Sequence, residues 1–381
     1  MIDRPGSSLI GASILSAAGS LPLHLAPLII AVLVIDGRTA VYDAGWITTA
    51  TLLGQFGVAL FLPLFGVGVI ARTNAIALAV MLLAGLLLSG SDGMSALLLG
   101  WFVVGGCCGG LQYLGTLAAA AHPNPRFAYS VRLGVVLSLA GFVAGALQWT
   151  AGLSAYRTMT AVLMIVFSTL LVIGLLLYRP VESRDGRHGG KTEFRLATYF
   201  GLAILFVLFV GQSGLLAYAV QNATERGIGL KNASWALAAM KVAAGWTLLF
   251  LARRVRRNDR NPSFAVLGTM LAVSDLVVAT TTNSLMFFLG LLGLETGFNL
   301  ISARLQAEVA RGTSFFGSQW LLATMLFGAA SGPSLRGATV GLDVGDAFVL
   351  FAMLSAVSPI ISAGMRSRLD EIGPRKKAPE D

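Results

Sequence analysis

Charge is scarce in this chain. Only 12% of its 381 residues are Asp, Glu, Lys or Arg, about half the share of a soluble domain, which excludes an ordinary water-soluble fold. Disorder is excluded as well, because a disordered chain combines low hydrophobicity with high charge. Cysteine is almost missing: Cys107 and Cys108 stand side by side in an apolar run, so there is no disulfide framework. Three histidines without Cys/His ligand spacing predict no metal site. The glycine cluster Gly105, Gly106, Gly109, Gly110 does not follow a strand, and no P-loop lysine motif occurs, so no nucleotide cofactor is expected. What the chain does have is apolar surface, 56% hydrophobic residues at a mean hydropathy of +0.78. These values predict a polytopic membrane protein whose principal surroundings are a lipid bilayer.

Backbone polar groups in hydrocarbon must be bonded internally, so spans are helices or closed barrels. Long unbroken apolar runs favour helices over the short alternating strands of a barrel. The runs fall near 8–35, 43–70, 73–91, 95–121, 130–151, 157–178, 197–221, 232–252, 262–282, 285–307, 314–334 and 343–365. The first run outlasts the apolar region of a signal peptide and is read as a retained span. Twelve spans put both termini on one side. On that side fall 21 of the 27 Lys and Arg, Arg132 among them, five lie opposite, and Lys241 sits within a span. Cytoplasmic loops carry the Lys/Arg excess, so both termini are expected in the cytoplasm, with the protein in the cell's inner (plasma) membrane. Orientation accounts for the net charge of +9, and no nucleic-acid partner is needed.

The longest internal polar stretch, 179–196, sits near the midpoint and reads as a cytoplasmic linker between six-helix halves, 1–178 and 197–381. Asp43-Ala44-Gly45-Trp46 opens the second span and Asn232-Ala233-Ser234-Trp235 the eighth, 189 residues on. Gly141 and Gly145 in the fifth span match Gly328 and Gly332 in the eleventh, 187 residues on. Asp and Asn suit helix N-caps, Trp suits the membrane interface, and paired glycines let helices approach closely. The expected fold is therefore all-α and integral to the membrane, with twelve transmembrane helices in two pseudo-symmetric six-helix bundles.

This pattern resembles the major facilitator superfamily over essentially the whole chain. Gly45-Trp46-Ile47-Thr48-Thr49-Ala50-Thr51-Leu52-Leu53-Gly54 is similar to that family's second-helix opening. Leu99 to Gly106, followed by His122-Pro123-Asn124-Pro125-Arg126, is similar to its fourth helix and the loop after it. The resemblance implies two bundles rocking around a central site, lined by spans one, four, seven and ten, and hence transport of a small-molecule solute by a monomer. The chain departs from the family at three points. The loop Gly66 to Thr73 has no aspartate, Trp101 stands where proton-coupled exporters have arginine, and Gly141-Phe142 replaces a Gly-Pro pair. Drug:proton antiport loses ground, and an inner gating salt bridge must be absent or built differently.

Ionisable groups inside a span are costly and either pair or face a cavity. Lys241, Asp275 and Glu295, on spans eight, nine and ten, lie at similar depth. One reading has Lys241 attract an anionic solute group while Glu295 binds and releases a proton, with Asp275 and His24 as further proton carriers; the other is a structural ion pair. His24 lies between Pro22 and Pro27 and titrates near neutral pH, or is bonded to a neighbouring span. Gln55, Gln112, Gln212 and Asn299 are deep amides that bind solute or join helices. The functional expectation is a secondary active transporter of a small organic solute, an anion being one option, coupled to protons. The alternatives are a uniporter or exporter without a carboxylate proton step, and a membrane enzyme or sensor on the same scaffold.

Overall fold

A computed structural model describes residues 5–39, 41–62, 72–151, 156–179, 196–257, 264–312 and 317–338. All regular structure among them is helical: α1 (Pro5–Ile35), α2 (Val41–Phe61), α3 (Arg72–Ser89), α4 (Met94–Ala120), α5 (Pro125–Ala151), α6 (Tyr156–Leu177), α7 (Leu196–Ala217), α8 (Ala219–Glu225), α9 (Leu230–Arg257), α10 (Phe264–Thr280), α11 (Ser284–Gly312) and α12 (Gly317–Ala338). Seven of these, α1, α4, α5, α6, α7, α9 and α11, are long and apolar enough to cross a membrane. This is a multi-pass membrane protein. Eleven of the expected spans correspond to helices, the seventh broken near Tyr218 into α7 and the short α8. The expected span 343–365, the end of the second span and most of the linker 179–196 lie outside the described residues.

Side-chain size decides which helices touch. The α4 run Gly105-Gly106-Cys107-Cys108-Gly109-Gly110 packs against α2, where a Cβ on Gly109 would stand 2.5 Å from the Gln55 carbonyl oxygen. Bare backbones therefore meet there, and the buried cysteines are small packing residues among them. The α5–α9 contact is built the same way along its length. A Cβ on Gly134 would meet Leu249 Cγ at 2.7 Å, and one on Gly141 the Ala238 carbonyl oxygen at 2.7 Å. At the other end Gln148 Nε2 donates to the Ser234 carbonyl at 2.7 Å. Together with the packing of α12 on α2, this contact joins the first six helices to the rest.

The outward surface is apolar. On α6, Met159, Leu163, Phe167, Leu170 and Gly174 are buried, a stripe at helical spacing. Ile165, Val172 and Leu176 on its other face are exposed, as hydrocarbon-facing residues would be. Trp46, Trp149 and Trp235 are exposed at helix ends, where aromatic anchors sit. Trp101 lines a small apolar cavity between α1 and α2 and not the wall of the larger one. It is fully buried, donating from Nε1 to Tyr156 Oη at 2.9 Å, and that hydroxyl donates to the Ser89 carbonyl at 2.8 Å.

α2 starts at Val41 and α9 at Leu230, an offset of 189, the same as between their Asp/Asn–Trp openings. Asp43 and Asn232 are not N-caps, since each helix begins two residues earlier. The glycine pairs serve different neighbours, Gly141 packing on α9 and Gly328 on α7.

Candidate functional site

Three ionisable side chains meet at one level of the bundle. His24 lies eleven residues before the end of α1, Lys241 eleven after the start of α9, and Glu295 eleven after the start of α11. All three helix ends are on the face where α1 terminates, here the far face, so each group lies about 16 Å below it. Lys241 Nζ donates to Glu295 Oε1 at 2.6 Å, both side chains being 1% exposed. The other carboxylate oxygen, Oε2, accepts from Asn299 Nδ2 at 2.8 Å, and the same amide donates to the Glu295 carbonyl at 2.8 Å. His24 Nδ1 lies 3.4 Å from Lys241 Nζ. An ammonium only donates, so Nδ1 is the acceptor there and the ring proton is on Nε2.

These groups form part of the wall of a central cavity, to which α1, α2, α4, α5, α7, α9, α11 and α12 all contribute. Room for the centres of water-sized molecules is about 80 Å³, enough for roughly half a dozen waters. Leu23, Leu52, Phe209, Leu237, Phe298 and Met325 supply apolar wall. A second cavity, between α1 and the α7–α9 segment, shares Pro27 and Ala217 with it and leads toward the far face.

The deep amides divide. Gln112 lines the cavity and donates to the Gly19 carbonyl at 2.9 Å, 3.5 Å from Gln55 Oε1. Gln55 is buried behind it, 3.4 Å from the same carbonyl, and is no part of the wall, so it joins helices. Gln212 and Asn299 both line the cavity. Gln212 is buried, with no hydrogen-bond partner among the described residues for either amide atom. Asp275 is buried on α10, which packs chiefly on α11, and it does not reach the cavity. Counted from the end of α10 at Thr280 it lies about 8 Å below the far face, half the depth of Lys241, so the expected common depth does not hold for it.

Arg132 lies inside α5 and not on the loop side where the Lys/Arg distribution puts it. The helix α5 starts at Pro125, so Arg132 lies about 10 Å inside it, 2% exposed on the cavity wall. Its Nε donates to Ser16 Oγ at 3.0 Å and its Nη1 to Gln306 Oε1 at 3.2 Å. Gln306 Nε2 in turn donates to Ser302 Oγ at 2.7 Å. Nearer the face where α1 begins, Glu308 Oε1 on α11 is 3.6 Å from Arg126 Nη2 on α5 and 3.5 Å from Arg304 Nε. An ion pair between the halves thus exists on this side, built from residues outside the expected loop. Among the described residues no three His, Cys, Asp or Glu side chains gather as a metal would require.

No protein-family model matches the sequence, and no curated protein matches it. Solved structures do match. The human organic anion transporter MFSD10 (TETRAN) has a TM-score of 0.71 at 14% identity, over 94% of this chain and 99% of that one. An auto inhibited POT family peptide transporter has a TM-score of 0.60 at 12% identity, over 98% of each chain. Likeness along the whole length at such low identity is likeness of backbone architecture, and the chain is built on the major facilitator superfamily fold.

Proposed function

We propose that this protein is a secondary active transporter, not an enzyme, that carries a small organic solute across the membrane by alternating access and couples it to protons through Glu295. In this reading residues 1–178 and 197–381 are the two bundles that rock about the cavity as a monomer. The observation that carries it is the buried Lys241–Glu295 pair on the cavity wall, touching His24 from the opposite half. Protonation of Glu295 removes the partner of Lys241 and leaves its ammonium free for a negative group of the solute. Loss of the proton restores the pair and expels that group. His24, within reach of Lys241, is placed to pass the proton between the halves. Asn299 holds the second carboxylate oxygen, which keeps Glu295 oriented in its ionised form. The organic anion transporter among the structural neighbours supports a negatively charged solute, and the Lys/Arg distribution supports cytoplasmic termini in the plasma membrane.

The test is uptake into proteoliposomes of a panel of small organic acids and their neutral amides, with and without an imposed pH gradient. Gradient-driven uptake of an acid, lost in Glu295→Gln while solute exchange without a gradient persists, is the expected result. Uptake by wild type that ignores the gradient would remove the coupling role of Glu295.

A further inference from the structure

Among the described residues, the charges on the cavity wall do not cancel. Arg132 and Lys241 contribute two positive charges and Glu295 one negative. Lys241 and Glu295 neutralise each other at 2.6 Å, which leaves Arg132. Its hydrogen-bond partners among the described residues, Ser16 and Gln306, are neutral. A guanidinium carries five N–H donors, and these two bonds use one at Nε and one at Nη1. A buried cation without a counter-charge is expensive to keep, and inside a membrane protein such a group marks a solute path by default. Ser16 and His24 are eight residues apart on α1, so this centre lies about 12 Å along the cavity from the proton-coupling centre.

We propose that Arg132 is a standing anchor for the carboxylate of an organic acid, separate from Lys241, with Ser16 and Gln306 fixing the plane of its fork. The planar guanidinium matches a carboxylate with two parallel bonds. Leu133 and Val136, near it on α5, and Phe298 and Leu326 elsewhere on the wall are apolar, which suits an acid with an apolar body. The inference rests on the transport reading for its purpose, but its test does not.

Full-length protein in nanodiscs is titrated with ω-phenylalkanoates from phenylacetate to 6-phenylhexanoate, each beside its amide. The expected result is binding of at least one acid and weaker binding of its amide. Arg132→Gln should weaken the acid about ten-fold or more, the loss of one charge-assisted interaction, with the amide unchanged. Gln306→Glu places a carboxylate of the protein itself on Arg132, so it should raise the melting temperature without ligand and also weaken the acid about ten-fold. This second variant needs no tolerance of a lost buried group. Equal binding of acids and amides, no acid binding at all, or unchanged acid binding in Gln306→Glu overturns the anchor. Acid binding lost in Lys241→Met but kept in Arg132→Gln transfers the role to Lys241 and also overturns it. Arg132-dependent binding without any gradient-driven uptake leaves the anchor standing and removes the coupling reading instead.

Discussion

Breaking the Lys241–Glu295 pair from one side should cost far more than removing both charges. At 2.6 Å and an effective dielectric constant of about 20, the Coulomb attraction is about 6 kcal/mol, most of it spent on desolvating the two ions. Removing one partner leaves the other buried and uncompensated, at a cost of about 3–5 kcal/mol, whereas replacing both by groups of similar shape is close to neutral. Lys241→Met and Glu295→Gln should therefore each lose several kcal/mol of unfolding free energy, and the double variant should recover to within about 1 kcal/mol of wild type. Glu295→Gln keeps an acceptor for Asn299, so the cycle isolates the charge. The measurement is reversible unfolding of the reconstituted protein by denaturing detergent, for all four forms. Additive losses in the double variant would refute a direct pair and take the proposed proton switch with it.

Three further outcomes follow from geometry outside that centre. The ion pair of Arg126 with Glu308, at 3.6 Å and partly exposed, should contribute less than about 1 kcal/mol to stability. Glu308→Ala should instead raise the rate at which a cysteine placed at Val136 is labelled from the α1-start side, and an unchanged rate would show that the pair does not hold that mouth closed. Tyr156→Phe removes the acceptor of Trp101 Nε1 and the donor to the Ser89 carbonyl, so unfolding should become easier by about 1–3 kcal/mol; a smaller loss would mean water replaces the hydroxyl. Asp36, in the turn after α1, is held below the usual carboxylate range first by its hydrogen bond from Arg38 and also by the Tyr156 N–H. A lowered acid value means that its contribution is present above the ordinary carboxylate range and fades as pH falls through the folded-state value. Asp36→Asn should thus flatten acid sensitivity below about pH 4, read from thermal unfolding across pH, and an unaltered acid limb would remove Asp36 from the account.

Helices and their order were legible because hydrophobic run length is a direct statement about crossing hydrocarbon. The depth of Lys241 and Glu295 was legible for the same reason, since residues counted from a helix end give height. Lateral position was not. Asp275 belongs to a helix that contributes nothing to the cavity wall among the described residues, and Gln55 points at Gly19 from behind Gln112. Height along a span comes from one helix at a time. Which face meets the cavity depends on how eight helices are arranged, and period carries little of that when every face is apolar. The small hydrophobic asymmetry of such helices leaves only glycine clusters as markers, and Gly105 to Gly110 did mark a backbone contact, with α2.

Arg132 shows what a positional cue would have added. Proline is favoured in the first helical turn, where its missing N–H costs nothing, and Pro125 is the first residue of α5. Counting from Pro125 instead of from the apolar run near 130 moves Arg132 from a helix mouth to almost two turns inside. The partners were also present in spacing: Ser13, Ser16 and Ser20 recur on one side of α1 and are all buried, and Ser302 and Gln306 are four apart on α11, bonded to each other. A run of hydroxyls at helical spacing on an otherwise apolar span needs an outside partner or a back-bond to its own helix. Ser13 and Ser20 bond back, to Leu9 and Ser16 carbonyls at 2.6 and 2.8 Å, while Ser16 accepts from Arg132. That one departure from the pattern is where α11, through Gln306, is tied to α1 by a cation whose hydrogen-bond partners among the described residues are both neutral.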